Sequence, residues 1–205
     1  IRDIEDKVAF GTIEELIYSE NKGFISVIEM DAKGNYKAPV KILEKPYHLS
    51  YPFLFRHNGQ IYMLPETKEN KTIELYRCER FPDMWAFDRV LIPKIAAVDS
   101  TIIQANGKWW LFTNIEEKNG SSWDSLHLFY ADDPLSTDWK AHPKNPIIQS
   151  IENSRPAGRI VKQDNNLIRP AQDCSIRYGY ATKFNRISIL SETDYKEELV
   201  RSFKP

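Results

Sequence analysis

Little in this chain marks it for a charged or membranous partner. Lysine and arginine number 28 against 29 aspartates and glutamates, a formal net charge of −1. Such a balance argues against binding to nucleic acid or an anionic membrane through bulk charge. No apolar run approaches the length of a membrane span. The first residues, Ile1-Arg2-Asp3-Ile4-Glu5-Asp6, are too charged for the apolar segment of a secretory signal. The chain opens without Met, so a lost targeting segment stays open. Only two cysteines occur, Cys78 and Cys174, and their separation lacks the spacing of a zinc site. Two unpaired thiols suit a reducing compartment, which slightly favours the cytoplasm. The sequons at Asn70 and Asn119 matter only in a secretory one. No phosphate-cradling glycine loop or dinucleotide fingerprint is present.

What is present is a globular composition, 41% hydrophobic and 12% aromatic, with enough residues for one sizeable domain. The apolar runs are short and rich in β-branched and aromatic residues. Gly, Pro, Asn and Asp separate them, which predicts strands. Only Thr193 to Arg201 reads as a short helix.

A hairpin is written three times. The first copy runs from His48 to Phe55, turns at Asn58-Gly59 and returns from Ile61 to Glu66. The second runs from Val98 to Ile103, turns at Asn106-Gly107 and returns from Trp109 to Asn114. The third runs from Arg155 to Val161, turns at Asn165-Asn166 and returns from Leu167 to Asp173. Each is followed by a further strand and an aromatic residue. Units of four antiparallel strands over roughly 50 residues predict propeller blades. We read one all-β domain over 1–205, with an irregular start at 1–12 and units at 13–47, 48–97, 98–154 and 155–205. Ile13-Glu14-Glu15 takes the second-strand position of the first unit, with Glu14 matching Glu66. A full partner strand and turn need more room than the thirteen residues before Glu14. That strand is either degenerate or outside this chain.

A hairpin returns to where it began, so its two ends share one rim. The rim collects His48, Tyr51 and Glu66, then Asp99 and Asn114, then Arg155, Gln172 and Asp173, with Glu14 from the first unit. Cleaving a glycosidic bond needs one protonated and one ionised carboxyl group. Glu66 and Asp99 are the candidate catalytic pair, and crowding among the rim carboxylates would raise the pKa of the acid. His48 and Arg155 are candidates to orient substrate, Arg155 through its fork of donors. Glu14, Tyr51, Asn114, Gln172 and Asp173 complete the candidate substrate-binding set. The same carboxylates could instead bond backbone N–H groups or Arg155 and brace the blades. Asp173 could equally cap a turn. Trp109 and Trp110 alternate across a strand and should pack into opposite interfaces. Tyr51 and Trp123 are the better candidates for stacking on a sugar. No metal or other cofactor is called for; a propeller can hold a calcium ion in its central channel, but no ligand spacing here demands one.

Ordered short motifs carry a family resemblance. They include His48-Leu49-Ser50-Tyr51-Pro52-Phe53, Leu64-Pro65-Glu66, Val98-Asp99-Ser100-Thr101, Trp109-Trp110-Leu111-Phe112, Arg155-Pro156-Ala157-Gly158 and Gln172-Asp173-Cys174 with Tyr178-Gly179. Over residues 13 to 199 the chain resembles the propeller domain on the N-terminal side of the glucosamine inositolphosphorylceramide transferases of plants and their bacterial relatives. That domain is itself similar to the five-bladed propellers of glycoside hydrolase families 43 and 32. The resemblance implies a five-bladed propeller with its first blade incomplete here, a glycan ligand, and a fused or associated transferase or formyltransferase domain. It also implies an Asp-Pro step opening the first inner strand. This chain lacks that step, which counts against a complete hydrolytic site. Three functions follow: a glycan-processing hydrolase-like domain, a non-catalytic glycan-binding companion of a transferase, or a protein-interaction scaffold.

Overall fold

The computed structural model describes residues 2–3, 8–116 and 121–204. They form four antiparallel sheets in chain order. The first holds β1 (Arg2–Asp3), β2 (Val8–Ile17), β3 (Lys22–Asp31) and β4 (Val40–Leu43). The second holds β5 (Ser50–His57), β6 (Gln60–Glu66), β7 (Thr72–Arg80) and β8 (Met84–Pro93). The third holds β9 (Ala97–Ala105), β10 (Lys108–Ile115), β11 (Ser125–Ala131) and β12 (Lys140–Ala141), with β13 (Ile148–Gln149) also pairing to β11. The fourth holds β14 (Val161–Gln163), β15 (Asn166–Asp173), β16 (Ala181–Leu190) and β17 (Tyr195–Phe203). The architecture is a β-propeller of four blades.

Two expectations are corrected here. The blades number four among the described residues, not five. The fifth came with the family resemblance, and no further hairpin among the described residues supplies its strands. The first blade is shortened at its inner edge, where β1 contributes two residues paired to Val8 and Ala9. The stretch read as a helix is strand β17, held by a ladder from Thr182↔Phe203 to Leu190↔Tyr195. Tertiary pairing overrides a weak local preference there.

Two-residue turns set the hairpin registers. Asn58-Gly59 and Asn106-Gly107 both take left-handed backbone, at φ 47° and 79° and at 52° and 77°. Such pairs match the twist of the flanking strands. The third turn lies at Asp164-Asn165, φ 45° and 63°, one residue earlier than expected. Asp and Asn tolerate this region through local hydrogen bonds, and Asn166 Nδ2 donates to the Asp164 carbonyl at 3.2 Å.

Each blade interface has its own core. Ile25, Leu43, Leu49, Met63 and Tyr76 join blades one and two. Phe53, Phe55, Leu64, Leu75, Ile102, Trp109 and Leu111 join blades two and three. Ile103, Trp110, Phe112, Leu128, Ile160 and Ile187 join blades three and four. Trp109 and Trp110 thus face opposite interfaces, as strand alternation requires. Inner strands packed on both faces lose their polar alternation, and β6 is buried from Ile61 to Glu66. Cys78 and Cys174 are both buried and unpaired. No helix among the described residues is long and apolar enough to cross a membrane.

Candidate functional site

The backbone kinks where the inner strands of blades two and three enter from the rim. The pairing of β5 with β6 shifts between Ser50 and Phe53, and that of β9 with β10 shifts between Phe112 and Asn114. Inside these bulges Tyr51 has φ 44° and Asp99 has φ 53°, at equivalent positions of neighbouring blades. Left-handed backbone at a Tyr and an Asp is uncommon and costs free energy, and bulges of this kind re-aim side chains. Hydroxyls close the second bulge. Thr113 Oγ1 donates to the Val98 carbonyl at 2.8 Å and receives Ser100 Oγ at 3.0 Å. Asp99 is gripped from both sides.

The result is an open cavity of about 300 Å³ at the rim, lined by residues that include Glu14, His48, Tyr51, Glu66, Asp99, Arg155 and Tyr178. Arg155 Nε donates to Asp99 Oδ2 at 2.5 Å, with Asp99 3% and Arg155 9% exposed. Burial pushes the Asp99 carboxyl upward, and the Arg155 guanidinium pulls it back. Glu66 ends β6, 8% exposed, and its Oε2 has no hydrogen-bond partner. Burial first, and the Asp99 charge second, push Glu66 up to about 7, against Arg155 and Lys68. Glu14 is half-buried and also raised, by burial foremost, with the His48 ring opposing.

His48 is fixed by the blade before it. The Gly23 N–H donates to His48 Nδ1 at 2.9 Å, and the Leu49 N–H donates to the Gly23 carbonyl at 3.0 Å. An Nδ1 that accepts carries no proton, so the neutral ring has its proton on Nε2. That nitrogen lies 3.7 Å from Glu14 Oε1. Gly23 is required here, because a Cβ would stand 2.4 Å from the Leu49 carbonyl oxygen. Tyr51 packs against the core between blades two and three, and its hydroxyl shares a 2.9 Å hydrogen bond with Thr101 Oγ1. Burial pushes that phenol up to about 12.

Of the nine residues singled out in the sequence, six line this cavity: Glu14, His48, Tyr51, Glu66, Asp99 and Arg155. The other three do not line it. Asn114 is buried, and its Nδ2 donates to the Ser122 carbonyl at 3.2 Å. Gln172 Nε2 donates to the Pro156 carbonyl at 3.0 Å. Asp173 accepts from the Ser175 N–H at 3.0 Å and its hydroxyl at 2.6 Å, and lies 3.2 Å from Lys183 Nζ. Asp173 is one position past Gln172, so strand alternation turns it to the other face. Tyr178 was missed as a site residue. Its ring lies 4.9 Å from the Arg155 guanidinium, in a segment without strand periodicity, so only the fold reveals the contact. Among the described residues no group of three or more His, Cys, Asp or Glu is placed to hold a metal ion.

The arrangement holds two acids of unlike character within one open cavity. Asp99 is ion-paired, and Glu66 is buried with an unpaired oxygen. Burial raises both carboxyls, and only Asp99 has a guanidinium hydrogen-bonded to it to favour its charged form.

Comparisons with known proteins agree with this architecture. Solved structures of low identity share the fold. A mutant of the GH43 protein BlXynB from Bacillus licheniformis superposes with a TM-score of 0.61 at 14% identity, over 93% of this chain and 40% of that one. A Bacillus megaterium levansucrase mutant gives 0.65 at 10% identity, over 98% and 66%. Among curated proteins, glucosamine inositolphosphorylceramide transferase 1 of Oryza sativa subsp. japonica is 39% identical over 158 residues, 76% of this chain and 21% of the relative. Its Arabidopsis thaliana counterpart is 37% identical over 184 residues, 86% and 23%. The chain thus spans about a fifth of the curated relatives it matches. The family described as glucosamine inositolphosphorylceramide transferase 1, N-terminal, matches residues 12–203, and the chain belongs to that family.

Proposed function

We propose that the rim cavity is a glycan site, with Glu66 and Asp99 as the groups that act on the bound sugar. The observation that carries this reading is Glu66, a buried carboxyl raised to about 7 beside an Asp99 that is ion-paired to Arg155. At neutral pH Glu66 can hold a proton for a leaving glycosidic oxygen. Asp99 supplies the opposing negative charge that oxocarbenium-like chemistry needs. Arg155 fixes the orientation of Asp99, and His48 presents Nε2 toward Glu14 and the cavity. A protein scaffold without a ligand would have filled this rim with salt bridges. Instead an open cavity of about 300 Å³ remains, lined by residues that include Glu66, Asp99 and Arg155.

A second reading has its own support. One Asp99 oxygen is held by Arg155, and the relatives are named as transferases of which this chain matches about a fifth. On that reading the cavity holds a glycan for a transferase domain and does not cleave it.

One experiment separates the readings. Binding and hydrolysis are measured on a panel of aryl glycosides and oligosaccharides with the parent protein, Glu66→Gln and Asp99→Asn. Hydrolysis lost in both variants supports catalysis. Binding without hydrolysis supports the companion role. Neither binding nor turnover by a folded parent across the panel refutes a glycan site.

A further inference from the structure

The carboxylate cavity is at the small end of ligand pockets, which span roughly 300–1,000 Å³, and an aromatic pair stands at its edge. We infer that Tyr178 and Trp123 form a second sugar subsite, so that the site takes a chain of at least two sugar units. This inference rests on the reading of the cavity as a glycan site.

Trp123 stands apart from the other four tryptophans. Trp109 and Trp139 are buried in the core between blades two and three, Trp110 in that between three and four, and Trp85 packs on the first. Trp123 joins none of these cores. Its ring lies 5.8 Å from that of Tyr178, tilted by 48°. Tyr178 is 54% exposed, lines the cavity and rests on Arg155. The aromatic pair therefore continues directly from the Asp99–Arg155 pair. Sugars carry hydroxyls at their edges and C–H groups on their faces. Carboxylates suit the first, and aromatic faces suit the second.

The loop carrying Trp123 is held on both sides. Asn114 Nδ2 donates to the carbonyl before it, Ser122, at 3.2 Å. Ser154 Oγ and the Ser150 N–H donate to the carbonyl after it, Asp124, at 2.9 and 2.8 Å. Ser154 directly precedes Arg155, so one segment braces both halves of the site. Such pre-positioning lowers the ordering cost of binding.

The test is titration calorimetry with xylose, galactose and glucosamine and their oligomers of two to four units. It compares the parent, Trp123→Ala and Trp123→Phe. Trp123 lies outside the cores, so its replacement leaves the fold intact, which the unfolding curve checks. The parent should bind a disaccharide more tightly than its monomer. Trp123→Ala should lose about tenfold in disaccharide affinity with monosaccharide affinity unchanged, and Trp123→Phe should recover part of the loss. An equal gain from one unit to two in the parent and in Trp123→Ala overturns the second subsite while the cavity reading stands. A parent that binds none of the sugars overturns both.

Discussion

Replacing Glu66 by Gln should change how the stability of this protein depends on pH. Glu66 is 8% exposed, and its carboxyl titrates at about 7 in the folded chain against 4.5 as its ordinary value. The folded state therefore holds a proton that the unfolded state has released between those pH values. A group raised on folding stabilises below its unfolded pKa and loses that contribution as pH rises through its folded one. At roughly 1.36 kcal/mol per pH unit, the parent should lose about 3 kcal/mol between pH 4.5 and pH 8 through this one group. Gln has the same shape and no proton to release, so Glu66→Gln lacks that loss. Carboxylates remote from Glu66 titrate in both proteins and largely cancel in the difference, whereas Asp99 is coupled to Glu66 and its titration belongs to the same measured difference. The assay is urea unfolding followed by tryptophan fluorescence at half-unit pH steps. The difference in unfolding free energy, parent minus variant, should fall across the window by about 3 kcal/mol. Parallel curves would refute the claim that burial and Asp99 hold a proton on Glu66.

Other perturbations bear on the supports of the site. Arg155→Met leaves the Asp99 carboxylate buried without its partner and should cost about 3–5 kcal/mol, read by the same unfolding assay. The double variant Arg155→Met with Asp99→Leu should recover much of that loss. Gly23→Ala places a Cβ 2.4 Å from the Leu49 carbonyl and 2.8 Å from His48 Cε1. It should destabilise by about 1–3 kcal/mol and shift the His48 ring resonances in NMR spectra. Thr113→Val removes the hydroxyl that bridges the Val98 carbonyl and Ser100. It should cost about 1–3 kcal/mol, and Thr113→Ser should restore most of it.

Much of the blade arrangement was legible because hairpins leave strong local marks. Asn58-Gly59 and Asn106-Gly107 demand left-handed backbone, and the alternation of Trp109 and Trp110 assigns each ring to its interface. The third turn was placed a residue late because it has no glycine, and Asp164 and Asn165 carry its positive φ. The five-blade count came from resemblance, whereas the chain's own repeats numbered four. The shared rim was legible from topology alone, since both ends of a hairpin meet there. Side-chain direction at that rim was less so. The bulges at Tyr51 and Asp99 aim their side chains into the cavity, while Asn114, Gln172 and Asp173 turn to nearby backbone, hydroxyl and lysine partners. Tyr178 escaped notice because its contact with Arg155 joins two loops, and no periodicity marks such a contact.

The most direct test of the glycan site is carbon NMR of the Glu66 carboxyl, titrated from pH 3 to pH 9 with and without an oligosaccharide. The account predicts an inflection near 7 in the free protein that moves when sugar covers the cavity. An inflection in the ordinary carboxylate range, unmoved by any sugar of the panel, would contradict it.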